Sequence, residues 1–121
     1  MNIEVVDKIL DMILENEEIE NIDLIIQQRK KLVIDAVEDS KNNKYFIFKF
    51  NGNVESIDTS KFGVISVDFL EKSHGIGIDC VLFFENGYIK SLEIYSVCGS
   101  DFENIDISNI EIQGRSPNTQ H

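Results

Sequence analysis

"IGIDCVLFFENGYIKSLEIYS", residues 76–96, contains two apolar runs joined at Asn86-Gly87. That dipeptide favours a tight antiparallel hairpin, because both residues accept positive φ at little cost. Two registers compete. A two-residue turn sets Leu82 against Ser91 and Cys80 against Glu93, which mixes polar and apolar partners on one face. A three-residue loop, Glu85-Asn86-Gly87 closed by a glycine bulge, sorts them better. It opposes Phe84 to Tyr88, Cys80 to Leu92 and Ile78 to Ile94, with Leu82 between them. Register follows the buried face, so the second arrangement is expected. It makes Cys80 a core residue and puts Asp79 directly opposite Glu93 on the outer face, among Val81, Phe83, Ile89, Ser91 and Tyr95. Like charges facing each other cost a few tenths of a kcal/mol up to about 1 kcal/mol. A cation supplied from outside would relieve that cost.

Upstream of the hairpin, "KLVIDAV", "KYFIFKF" and "GVISVDFL" are further short runs rich in β-branched and aromatic residues, separated by turn-forming "DSKNN" and "NGN". The N-terminal segment has a different period. In "NIEVVDKILDMILENEEIE", Val5, Val6, Ile9, Leu10, Met12, Ile13 and Leu14 form one apolar arc at 100° per residue. Glu4, Asp7, Asp11, Glu15 and Glu18 gather on the opposite side, and Asn2 stands at the N-cap position. "IENIDLIIQQ" fits a helix through Ile19, Ile22 and Ile26, and a strand through Ile22, Leu24 and Ile26; a short second helix is the expectation. One or two helices followed by consecutive strands predict an α+β domain, with the helical layer on one face of an antiparallel sheet of about five strands. Residues 1–113 are read as one domain and 114–121, "GRSPNTQH", as a flexible tail.

The chain has 121 residues and carries 22 Asp plus Glu against 11 Lys plus Arg, a formal charge of −11. Residues 1–60 hold 13 acids and 7 bases, and residues 61–121 hold 9 and 4, so the charge belongs to the whole domain. Direct nucleic-acid binding needs a basic footprint and is not expected. A basic protein partner would instead be drawn in by the field. No run approaches the roughly 18 apolar residues of a membrane span. The acidic N-terminus differs from a signal peptide, and two isolated cysteines make no disulfide framework, so a reduced, cytoplasmic protein is expected.

Catalytic chemistry finds few components. Cys80 with His74, and Asp79 to orient the histidine, is the one thiol arrangement available. An inward Cys80 and a loop-borne His74 argue against it. Cys98 in "VCGSD" reads as a small residue at a loop edge. A hydrolase built on Asp79 and Glu93 would need a water-excluding cleft, which a sheet's outer face seldom supplies. There is no CxxC, HExxH or calcium-loop pattern, and "GIG" has no helix after it to cradle phosphate. No cofactor or metal is expected. "SDFENID" just past the hairpin sets Asp101, Glu103 and Asp106 around Phe102 and Ile105, acids interleaved with apolar anchors that suit a partner.

The stretch "LFFENGYIKSLEIYSVCGSD" resembles the closing hairpin of many small acidic bacterial proteins: an apolar strand, x-x-Gly, then Leu-Glu-aromatic and a glycine. Such proteins are commonly immunity proteins paired with polymorphic or contact-dependent growth inhibition toxins. The likeness spans residues 76 to about 107. It implies a non-enzymatic cytoplasmic antitoxin that binds a cognate toxin C-terminal domain, often a nuclease such as a tRNase with a basic cleft. The family supplies no fixed contact list. Face assignment alone gives Asp79, Glu93, Tyr95, Asp101, Phe102, Glu103 and Asp106 as partner-binding residues, with the helix acids as a second surface. A thiol enzyme using Cys80 and His74, or a generic acidic adaptor, are the alternatives.

Overall fold

The computed structural model describes residues 3–16, 18–59, 63–97, 99 and 106–116. Two helices, α1 (Ile3–Ile13) and α2 (Ile22–Arg29), precede six strands: β1 (Leu32–Asp39), β2 (Asn43–Phe50), β3 (Val64–Glu71), β4 (Ile76–Glu85), β5 (Tyr88–Ser96) and β6 (Ile110–Ser116). They form one sheet in the order β1-β2-β5-β4-β3-β6, with every neighbouring pair antiparallel. The α+β architecture matches the sequence reading, with one strand more than expected. β6 is the addition, and it includes residues 114–116, which the sequence reading assigned to a tail. No helix among the described residues is long and apolar enough to cross a membrane.

Alternation explains the layers. On β3, Ile65, Val67, Phe69 and Glu71 are buried, while Val64, Ser66, Asp68 and Leu70 are not. On β4, Ile78, Cys80 and Leu82 point the same way, meeting Leu92 and Ile94 of β5 and Phe46 and Phe48 of β2. Val6, Ile9, Leu10 and Ile13 of α1 and Ile25 of α2 cover this inner face. Each fully buried Leu or Ile contributes about 1.5–3 kcal/mol of transfer free energy, so the inner face is what fixes the fold.

α1 is shorter than its apolar pattern. It stops at Ile13, where Arg115 of β6 reaches in and donates from Nη1 to the Ile13 carbonyl and from Nη2 to that of Met12, both at 2.8 Å. These are among the carbonyls a helix end leaves without partners, and a cation suits that end of the dipole. The Asn16 side chain then accepts from the Glu18 N–H and turns the chain. Glu15 and Glu18 therefore lie beyond the helix, and the acidic stripe of five is reduced to Glu4, Asp7 and Asp11. Arg29 of α2 bridges the last two, with Nη2 at 3.3 Å from Asp7 Oδ1 and 2.9 Å from Asp11 Oδ1. Asn2 lies outside the described residues.

The hairpin keeps the two-residue turn of the first register and past it follows neither register weighed above. Asn86 and Gly87 take φ of 54° and 87°, as a two-residue type I′ turn requires, and Glu85 opposes Tyr88. The register then shifts between Phe83 and Phe84, with Lys90 as the extra residue, and continues with Leu82 opposite Leu92, Cys80 opposite Ile94 and Ile78 opposite Ser96. The turn satisfies its own chemistry, and the bulge returns the apolar set to the core. Face assignments survive beyond the bulge, while at the tip two residues exchange: Ile89 is buried in the core, and Tyr88, expected opposite Phe84 on the inner face, is exposed opposite Glu85. The partners move by two residues.

Gln28 locks this tip to the rest of the domain. Fully buried, it donates from Nε2 to the carbonyls of Glu55 (2.8 Å) and Gly87 (2.9 Å), and its Oε1 accepts from the Ile89 N–H (2.9 Å). The Ile57 N–H also donates to the Gly87 carbonyl, at 2.9 Å. The crossing from β2 to β3 thus passes against the hairpin tip. A Cβ on Gly87 would lie 2.5 Å from the Ile57 carbonyl oxygen, so both backbone conformation and space demand glycine there.

Candidate functional site

No helix among the described residues packs on the sheet's second face. Its side chains come from the outward positions of each strand, and register sorts them into rows across the sheet. One row runs Asn43 (β2), Tyr95 (β5), Asp79 (β4), Asp68 (β3) and Gly114 (β6). The next runs Glu38 (β1), Tyr45 (β2), Glu93 (β5), Val81 (β4) and Ser66 (β3).

These rows correct the expected pairing of Asp79 with Glu93. The two-residue shift from the bulge places Asp79 opposite Tyr95 and Glu93 opposite Val81, so the two acids are diagonal neighbours on one face. The carboxylate that directly faces Asp79 is Asp68. The Asp68 carboxyl is raised above its ordinary range by side-chain hydrogen bonding with Asp79, then by burial and by the negative charge of Asp79. The Tyr95 hydroxyl donates to Asp79, and this bond, burial and the surrounding charges of Asp79, Glu93 and Asp68 raise its ionisation as well. Glu93 is held by Asn43, whose Nδ2 donates to Oε2 at 2.9 Å. Beside it the Tyr45 hydroxyl and the buried Ser91 Oγ lie 2.8 Å apart, and the Tyr45 ring meets Phe83 edge to face, centroids 6.3 Å apart.

Of the seven residues assigned from sequence, the structure therefore brings Asp79, Glu93 and Tyr95 onto one face. Asp106 is placed elsewhere. Its carboxylate accepts from the Ser108 N–H at 3.1 Å and caps a short 3-10 turn, Ile107–Asn109, while its own N–H donates to Glu71 Oε2 at 3.1 Å. A capping aspartate has a structural task that accounts for it. Asp101, Phe102 and Glu103 lie outside the described residues, as does Cys98.

Asp68, Tyr45 and Asn43 were missed. Asp68 had a signal: it breaks the apolar run "GVISVDFL" at an outward position, as Asp79 does on the next strand. Only the pairing of β3 with β4 reveals that the two are neighbours.

The thiol arrangement does not assemble. Cys80 is fully buried on the inner face between Val67 and Ile94. Burial, then the charges of Asp79 and Asp68, push its thiol well above the ordinary range, the reverse of what a nucleophile needs. His74 sits in the β3–β4 turn with Nδ1 2.8 Å from Glu71 Oε2. Cys80 lies four residues inside β4, about 13 Å along the strand from its start at Ile76.

Among the described residues, no Lys or Arg lies within ion-pair distance of Asp68, Asp79 or Glu93, and no group of three or more His, Cys, Asp or Glu side chains gathers in a way that could hold a metal. The arrangement offers hydrogen-bond acceptors and negative charge beside aromatic rings. No family model, curated protein or solved structure matches the chain.

Proposed function

We propose that this chain is an immunity protein: a cytoplasmic inhibitor that neutralises a basic toxin domain, a nuclease such as a tRNase, by occupying it with the acidic second face of the sheet. The observation that carries the reading is the row of Asp68, Asp79 and Tyr95 with Glu93 beside it, in which carboxyls bond to one another and to polar neighbours instead of to basic side chains. Such groups are under-neutralised in the free protein. A basic surface supplies what they lack, and the gain falls on encounter rate and partner discrimination more than on affinity alone. Tyr95, Tyr45 and Phe83 add apolar contact area of the kind that anchors interfaces.

The direct test is co-expression with the C-terminal domain of the protein encoded by the gene immediately upstream, scored by whether that domain is toxic and whether this chain rescues growth. Reversal of both Asp79 and Glu93 to Lys is expected to weaken toxin binding in calorimetry by about 3 kcal/mol. The double variant should keep wild-type circular dichroism, because both side chains point away from the core. Unchanged affinity in the folded double variant would remove these residues from the interface. Cys80→Ala should leave neutralisation intact.

A further inference from the structure

At the β1–β2 end of the same face lies an open groove of about 400 Å³, lined by Glu38, Asp39, Ser40, Asn43, Tyr45 and Glu93. Its volume is in the range of small-ligand sites, about 300–1,000 Å³. The register gives it a specific form. Glu38, Tyr45 and Glu93 stand side by side on β1, β2 and β5, so one aromatic residue is flanked by a carboxylate on each neighbouring strand, about 4.8 Å away on either side. Asp39, at the rim, is matched by Lys44. Glu38 and Glu93 have no ion-pair partner among the described residues. The ring is held in place by contacts outside the groove, through Ser91 at its hydroxyl and Phe83 at its edge.

We infer that this groove receives an arginine side chain of the protein partner, the guanidinium lying on the Tyr45 ring with Glu38 and Glu93 accepting its N–H groups from either side. Three features favour arginine over lysine. A planar guanidinium stacks on an aromatic face and offers donors in its plane toward both carboxylates. The two carboxylates lie on opposite sides of the ring, where a compact ammonium would reach only one. The polar rim of Ser40 and Asn43 leaves room for the arginine's remaining donors. The inference rests on the reading of the partner as a basic protein, and it goes beyond it by assigning one residue type to one place.

The test uses the full chain and two probes. The first is N-acetyl-arginine methylamide, titrated by NMR against the isosteric but uncharged N-acetyl-citrulline methylamide. Arginine is expected to shift the Asn43 side-chain amide and the backbone amides of Tyr45 and Glu93, with about five-fold tighter binding than citrulline. Glu38→Gln with Glu93→Gln should remove that five-fold preference, while Tyr45→Phe, which keeps the ring, should retain it. Equal affinity for citrulline, persistence of the preference in the Gln pair, or shifts centred on Asp7 and Asp11 would each overturn the assignment. The second probe is the C-terminal domain of the protein encoded immediately upstream, the toxin that the proposed function calls for. If the Gln pair binds it as wild type does, the groove assignment fails while the inhibitor reading stands. If wild type ignores the toxin yet prefers arginine in the groove, the inhibitor reading fails and the groove assignment stands.

Discussion

Asp68 and Glu71 lie three residues apart on β3 and carry the same functional group, yet their surroundings are opposite. Glu71 points inward and is fully buried. It accepts from the His74 N–H at 2.7 Å, the His74 ring at 2.8 Å and the Asp106 N–H at 3.1 Å. Burial alone would raise its carboxyl, but the bonds from the His74 ring and from the Asp106 and His74 backbones, with the His74 charge, outweigh it and lower the group to about 2. Asp68 points outward at another carboxyl and is raised. One acid is surrounded by donors and closes the β3–β4 turn onto the chain entering β6. The other faces a second carboxyl, which raises it. What sets the two carboxyls apart is their neighbours on the adjoining elements: donors around Glu71, a second acid beside Asp68.

The comparison breaks most readily at Glu71. Replacement by Ala strands three donors at once, and the expected outcome is the largest fall in denaturation midpoint of any substitution considered on this strand. Glu71→Gln keeps one carbonyl acceptor and should recover part of the loss. Wild-type stability after Glu71→Ala would show that the three bonds are dispensable.

A smaller effect should appear in acid. Glu71 titrates lower in the folded chain than its ordinary 4.5. Its contribution is therefore complete above about pH 4.5 and lost as pH falls toward 2. Asp68 has the reverse sign. The folded state holds its proton more tightly than the unfolded chain, so its contribution is present below its ordinary 3.8 and lost as pH rises through the raised folded value. Urea unfolding from pH 2 to 7 should show the acid-side rise flattened in Glu71→Gln. The opposing fall should vanish in Asp68→Asn. Parallel profiles for all three proteins would erase the distinction between the two acids.

The smallest effect is Asp68→Asn at neutral pH. Removing one member of an exposed like-charge pair should stabilise the chain by a few tenths of a kcal/mol, up to about 1 kcal/mol. The gain should shrink in 1 M salt. Destabilisation would mean that the Asp68–Asp79 contact supports the fold.

Much of this was legible in the chain itself. Alternation in "GVISVDFL" and "IGIDCVLFF" assigned the inner and outer faces, and Asn86-Gly87 marked the hairpin, because both are properties of near neighbours. What escaped depends on distant partners. β6 was passed over because Gly114 and the polar residues around it weaken the pattern that Ile110 and Ile112 begin. α1 was drawn too long because its end is set by Arg115, about a hundred residues away. Asp79 was given the wrong partner because turn chemistry and core burial were treated as rival demands, when a bulge at Lys90 meets both.

The surroundings of Gly87 also bear on how the protein is handled. Hairpin tips are the usual places to insert a tag, a label or new chain ends. Here the tip is enclosed by the Gln28 side chain and the Ile57 backbone, so foreign residues at 86–87 would pry α2 and the crossing segment away from the sheet. The exposed Asn51-Gly52-Asn53 turn is the better attachment point, and it leaves the acidic face uncovered.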